Sequence, residues 1–360
     1  MCLLCVRGEK RNVFNLVSVA NFKLFNMELS ILLCIAVVVF VLCLFGLFWL
    51  SLSIQPPLLE LKQAHVIITG GSSGIGKAVA TEVLNQGASV TLLARNEARL
   101  QQAQQELQQY ITDKTNQRIL CIPVDVCRDY SAVEAAIKKA IDVLGPCDIL
   151  VNSAGMSRAL SFEDTPIEDF KKVMDANYIG SVYPTRAVLP YMKKRRGGRI
   201  VYVASQAAQL GVYGYTAYAS SKFALRGLAE TLQMEVKPYG IYITISFPPD
   251  VETPMLAEDK INMPKETVLI SESSGLHQPD EIAQIIVKDA KRGRFHSFVG
   301  FDGFFLAVVS CGMSPVTSLL EVFLQVFLMS ILKLISFFFV ANFNGIVMRC
   351  FKERESQKQK

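Results

Sequence analysis

A short apolar run, His65-Val66-Ile67-Ile68-Thr69, leads without a break into Gly70-Gly71-Ser72-Ser73-Gly74-Ile75-Gly76, and a helical pattern starts at about Ile75. Few folds accept a buried strand, a glycine turn and a helix in that order. Gly70, Gly74 and Gly76 allow a tight turn, close approach of backbone to a pyrophosphate, and close packing of helix on strand. The helix N-terminus adds N–H donors that have no partner inside the helix, so the loop from Gly70 through Ser72, Ser73 and Ile75 reads as a phosphate cradle.

The same rhythm continues downstream. Apolar strands are read at 87–93, 119–124, 149–151, 199–203 and 241–245, with a Gln-rich helix over 97–110 between the second and third. Such alternation implies βαβ units, and hence an α/β fold with a doubly wound parallel sheet of Rossmann type, over 62–302. Ligands of such sheets bind beyond the C-terminal strand ends. The second strand ends in Ala94-Arg95-Asn96, where an NAD site would place an acid on the ribose hydroxyls. Arg95, joined by Arg99 one turn later, can instead fork onto a 2′-phosphate, so NADPH is expected over NADH; the alternative is a solvated arginine at a helix start. Asp125, before Val126 at the end of the third strand, is placed for the adenine amine.

Asn177, Ser205, Tyr218 and Lys222 carry the chemistry. Ser205 ends an apolar strand thirteen residues before Tyr218, which opens a helix in Tyr218-Ala219-Ser220-Ser221-Lys222. A spacing of four puts phenol and ammonium on one helix face. A phenol titrating near pH 10 becomes a usable acid at neutrality when a cation favours its anion.

These residues, with Asn152-Ser153-Ala154-Gly155 standing where the pattern has Asn-Asn-Ala-Gly, resemble the short-chain dehydrogenase/reductase superfamily over about 62–302. The resemblance implies that Asn152, Ala154 and Gly155 border the cofactor and that Tyr218 gives the proton to a carbonyl oxygen. It further implies that Lys222 binds the nicotinamide ribose and lowers the tyrosine pKa, that Ser205 orients the carbonyl, and that Asn177 holds a relay water. One departure is Pro248-Pro249-Asp250 in place of Pro-Gly, with Val251 and Thr253 following for the carboxamide. That loop, the stretch 233–239, the late run 311–318 and apolar segments at both ends resemble members that reduce a long-chain lipid ketone at the endoplasmic reticulum, with the active site facing the cytosol. This narrower likeness starts at about Met27. It places a flexible substrate lid over 252–275. A membrane-bound steroid or retinoid reductase and a silent nucleotide-binding scaffold are the alternatives.

Composition supports lipid contact: 51% of residues are hydrophobic and 19% charged, and mean hydropathy is +0.31. From Ile31 to Leu50 twenty residues lack a polar side chain, about 30 Å of helix and the thickness of a bilayer core. A transmembrane helix is read over 29–55, after an N-terminal extension over 1–28. The second apolar region, 303–348, carries charge only at Glu321 and Lys333, and Gly312, Pro315 and Lys333 leave a tilted helix, a re-entrant hairpin and an interfacial helix all open. A basic tail, 349–360, reads as solvated. Arg7, Lys10, Arg11 and Lys23 would hold the N-terminus in the cytosol and send the domain across the membrane, whereas a start at Met27 reverses that bias. A net charge of +5, not clustered like a nucleic-acid-binding face, argues against nucleic acid as a partner, and the run Lys193-Lys194-Arg195-Arg196 reads as a solvated helix end. Nine scattered cysteines and three distant histidines suggest neither a disulfide framework nor a metal site. Oligomeric state is not readable, although helices beside the active site commonly pair between copies in the superfamily.

Overall fold

The computed structural model describes residues 28, 30–46, 49, 56–272 and 275–358, which fall into two units, Met1–Ile54 and Gln55–Lys360. Within the first, a helix α1 covers Ser30–Gly46, and its apolar side chains, among them Leu33, Phe40 and Leu42, are exposed. The rest of the extension over 1–28 and of the span read at 29–55 lies outside the described residues, Glu28, Trp49 and the apolar stretch of α1 apart.

The second unit is built on a parallel sheet of seven strands, ordered β3-β2-β1-β4-β5-β6-β9. These are β1 (His65–Thr69), β2 (Ser89–Ala94), β3 (Ile119–Pro123), β4 (Ile149–Asn152), β5 (Gly198–Val203), β6 (Ile241–Phe247) and β9 (His296–Phe298). Strands β1, β4 and β5 are buried along their whole length. Helices cover both faces, so the strands are runs of Val, Ile and Leu instead of an alternation of apolar and polar residues. Successive side chains still point to opposite faces. Val66 and Ile68 pack with α2 (Gly74–Asn85) and α10 (Pro279–Lys291), while Ile67 packs on the other side with α4 (Tyr130–Leu144), α6 (Gly180–Arg195) and α7 (Thr216–Val236). Strand order reverses between β1 and β4, which opens the ligand crevice of such sheets.

Three expectations need correction. The sheet has a seventh strand, β9, missed because a run of only three residues containing His296 and Ser297 is too short and too polar to register. The stretch 252–275, read as flexible, contains α8 (Pro254–Asp259) and α9 (Lys265–Ser271), with Thr253 and Pro264 at their N-caps. The basic tail carries on α12 (Leu319–Lys358) as a helix end whose residues 351–354 are exposed, and there Glu353 pairs with Lys265 and Arg354 with the buried Glu266, both on α9. The run over 97–110 also ends early, as α3 (Glu97–Leu107) followed by a tight turn over Gln108–Tyr110.

Two basic side chains are absorbed by the core. Arg199 on β5 is 3% exposed, donates to the carbonyls of Ala290, Gly198 and Pro57, and stacks 4.6 Å from the Tyr242 ring. His296 is wedged between Phe247 and Phe295, and burial holds its imidazole at about 4, down from 6.5. Above its ordinary pKa the ring is neutral folded or unfolded. As pH falls from about 6.5 toward 4, only the unfolded chain takes up the proton, so stability is lost through that window, roughly 2 kcal/mol by pH 5. Thermal midpoints at about pH 7 and pH 5 should fall less for His296→Gln than for the native chain; equal falls would assign the acid loss elsewhere.

Candidate active site

The glycine turn is fixed by the protein's own packing. Gly70 has φ +68°, and a Cβ there would stand 2.8 Å from the backbone of Ala154. A Cβ on Gly76 would stand 2.5 Å from the Gly70 carbonyl oxygen. Thr69 Oγ1 accepts from the backbone N–H groups of Ser153 and Ala154, both at 3.1 Å, which ties the end of β1 to the Asn152–Gly155 loop. Ser73 occupies the N-cap of α2 in extended backbone without making a side-chain cap bond. Its hydroxyl and the first N–H groups of the helix therefore stay available to an anion.

Gly70, Ser72, Ser73, Arg95, Arg99, Asp125, Val126, Ala154 and Gly155 line one cleft of about 690 Å³. Arg95 and Arg99 stand exposed at its lip, and no carboxylate pairs with either among the described residues. Asn96, between them, caps α3 by accepting from the Arg99 N–H at 3.0 Å. The Asp125 carboxylate accepts from the Cys127 N–H at 3.2 Å and its thiol at 3.1 Å. Asn152 is 1% exposed and outside the cleft, where its amide donates to Thr185 Oγ1 at 3.2 Å. Gly74 lies under Thr253, against whose side chain a Cβ would fall at 3.2 Å. A glycine cradle, a free helix N-terminus and two unpaired guanidinium groups on one cleft fit a phosphorylated dinucleotide.

The four chemistry-bearing residues converge from three elements. Ser205 follows β5, and Tyr218 and Lys222 share a face of α7. Asn177 sits in a π-turn, Asp175–Ile179, between α5 (Ile167–Met174) and α6, a kind of irregularity frequent at functional sites. Lys222 Nζ lies 5.5 Å from the Tyr218 ring centre and donates to the Val203 carbonyl at 2.9 Å. Burial holds this ammonium down at about 8. The same burial raises the Tyr218 phenol, which the Ser205 hydroxyl partly offsets by favouring the anion. Asn177 is fully buried; its Oδ1 accepts from the Met156 N–H at 2.8 Å and its Nδ2 donates to the Met156 carbonyl at 3.0 Å and to Ser221 Oγ at 2.8 Å. It holds the loop beyond Gly155 against the catalytic helix.

Ser205 and Tyr218 face a second cavity of about 500 Å³, bordered also by Ile75, Pro248, Val251 and Thr253. Its far wall was not foreseen. Phe305, Leu306 and Val309 of α11 (Gly300–Val309) and Lys333, Ser336, Phe339, Val340 and Phe343 of α12 close it. The helix Leu319–Gln357, 39 residues long, holds a strongly apolar stretch of mean hydropathy 2.2, exposes Phe337 and Phe338, and by length and composition is the one helix among the described residues able to cross a membrane. Gly312 and Pro315 lie in the turn before α12, so they do not interrupt it. Arg226, four residues after Lys222 on α7, braces that turn: it donates to the Ser310 carbonyl at 2.5 Å, the Cys311 carbonyl at 3.2 Å and Ser314 Oγ at 2.9 Å, and pairs with Glu230 at 2.8 Å. The i, i+4 relation to Lys222 was the signal available for it.

A family model described as short chain dehydrogenase matches residues 64–263. The chain belongs to the short-chain dehydrogenase family, a family of oxidoreductases that use a nicotinamide cofactor. It is 53% identical over 323 residues to the 3-dehydrosphinganine reductase of Danio rerio, covering 89% of this chain and 96% of that protein. It is 52% identical over 309 residues to the 3-ketodihydrosphingosine reductase of Bos taurus, covering 86% and 92%. Among solved structures, levodione reductase shares the fold with a TM-score of 0.58 at 24% identity, over 64% of this chain and 91% of that one.

Proposed function

We propose that this chain reduces the C3 ketone of 3-ketodihydrosphingosine to dihydrosphingosine with NADPH, at the endoplasmic reticulum membrane and facing the cytosol. The observation that carries the reading is the cavity in which the Ser205 and Tyr218 hydroxyls face the inner strip of an otherwise lipid-compatible helix. A ketone on a long alkyl chain matches both ends of that space, and the relatives named above are reductases of this ketone.

The glycine cleft of Gly70, Ser72, Ser73 and Gly155 would hold NADPH, which would supply a hydride for the ketone carbon. Arg95 and Arg99 would hold its 2′-phosphate. Ser205 and Tyr218 donate hydrogen bonds to the carbonyl oxygen, and Tyr218 passes its proton there as charge develops. Lys222 holds the ribose and offsets the phenolate left behind. Asn177 keeps Met156 and Ser221 in register so that cofactor floor and catalytic helix stay aligned. The apolar helices hold the cavity at the bilayer surface where the substrate already resides.

Microsomes carrying the chain should oxidise NADPH with 3-ketodihydrosphingosine and not with a retinal or a ketosteroid. Turnover of the last two alone would replace this reading with that of a steroid or retinoid reductase.

A further inference from the structure

The cavity contains more charge than ketone reduction needs. Asp250 and Asp259 both line it together with Ser205 and Tyr218. Asp250 lies on β7 (Asp250–Val251), a two-residue strand pinned to β8 (Leu276–His277), and the prolines Pro248 and Pro249 stiffen its approach. Asp259 ends α8 where the cavity meets the cofactor cleft.

Neither carboxylate makes an ion pair among the described residues; Lys260 and Arg158 act on them only through space. Both are half-buried, and desolvation raises the pKa of each, that of Asp259 to about 6. Both also act electrostatically on the Tyr218 phenol, raising its pKa and so opposing the phenolate that proton donation must leave. Half-buried anions beside a catalytic acid are costly unless a cation joins them. An independent observation points the same way. Gln206 is 9% exposed and borders the same cavity, yet its Nε2 has no hydrogen-bond partner. A buried amide donor without an acceptor is a site awaiting an oxygen.

We infer that Asp250 and Asp259 bind the ammonium on the carbon next to the ketone, with Gln206 donating to the neighbouring primary hydroxyl, so that the cavity selects an amino ketone over a neutral one. This rests on the function proposed above, whose substrate carries ketone, ammonium and hydroxyl on three consecutive carbons. The arriving ammonium would neutralise the two anions and remove their opposition to the Tyr218 phenolate, so the substrate's own charge helps to ready the acid that reduces it.

The test uses the full chain in detergent micelles, NADPH, 3-ketodihydrosphingosine and a 1-hydroxy-3-ketone of equal chain length without the amine. The native chain should prefer the amino ketone by about a hundredfold in kcat/KM. Asp250→Asn and Asp259→Asn should each cut that ratio by about tenfold or more, with Asp250→Glu restoring part of it. NADPH binding, followed by fluorescence, reports whether each variant is folded. An unchanged ratio, or equal losses on both ketones with NADPH binding intact, would overturn the ammonium site while leaving the function standing. A native chain that reduces a retinal or ketosteroid but neither long-chain ketone would overturn the function, and the inference with it.

Discussion

Tyr218→Phe should abolish ketone reduction, lowering kcat by about three orders of magnitude or more. The ring stays, so packing against Tyr215 at 5.4 Å and over Lys222 is retained, and only the proton and one carbonyl contact are lost. NADPH binding, read by fluorescence, should therefore stay within about threefold of the native value, since the cradle and both arginines are untouched. The split between lost turnover and kept binding is the diagnostic feature. Undiminished turnover would remove the tyrosine from the mechanism. Loss of binding as well would make it a structural residue.

Arg95→Glu should lower kcat/KM for NADPH by about a hundredfold and leave that for NADH equal or higher. The geometry makes the change selective. Arg95 stands at the cleft lip without a carboxylate partner among the described residues, so its replacement breaks no ion pair in the fold. A glutamate there would repel the 2′-phosphate and accept from ribose hydroxyls. Arg99→Ala should show the same direction with a smaller effect, because truncation removes one positive charge without putting a negative one in its place. If both cofactors lose equally, the arginine is holding the α3 end in place, and NADPH selectivity must come from elsewhere on the cleft.

The nucleotide half of the site could be read from residue order because its parts are local. Gly70 to Gly76 is one turn, Arg95 and Arg99 one helix start, and Tyr218 and Lys222 one helix face, each a spacing that backbone geometry converts directly into position. The substrate half could not be read that way. Its walls come from 204–215, 248–259, 302–310 and 333–343, and nothing local in α12 shows that Lys333 and Phe343 face the catalytic cavity while Phe337 and Phe338 face out. The tail's pairings were hidden for the same reason: the partners of Glu353 and Arg354, Lys265 and Glu266, stand almost ninety positions earlier on a segment read as flexible. Asn177 shows a subtler gap: the position was identified, but not that its amide bridges Met156 and Ser221, a pairing that depends on the π-turn between α5 and α6.

Arg226 has a mechanical consequence. It clamps the turn between α11 and α12 to the same helix that bears Tyr218 and Lys222. On the proposed reading, in which α12 lies in a bilayer, tension or tilt that a thicker or thinner bilayer imposed on it would be delivered through a single guanidinium to the helix that sets the proton donor, and membrane thickness would become a variable of the reaction.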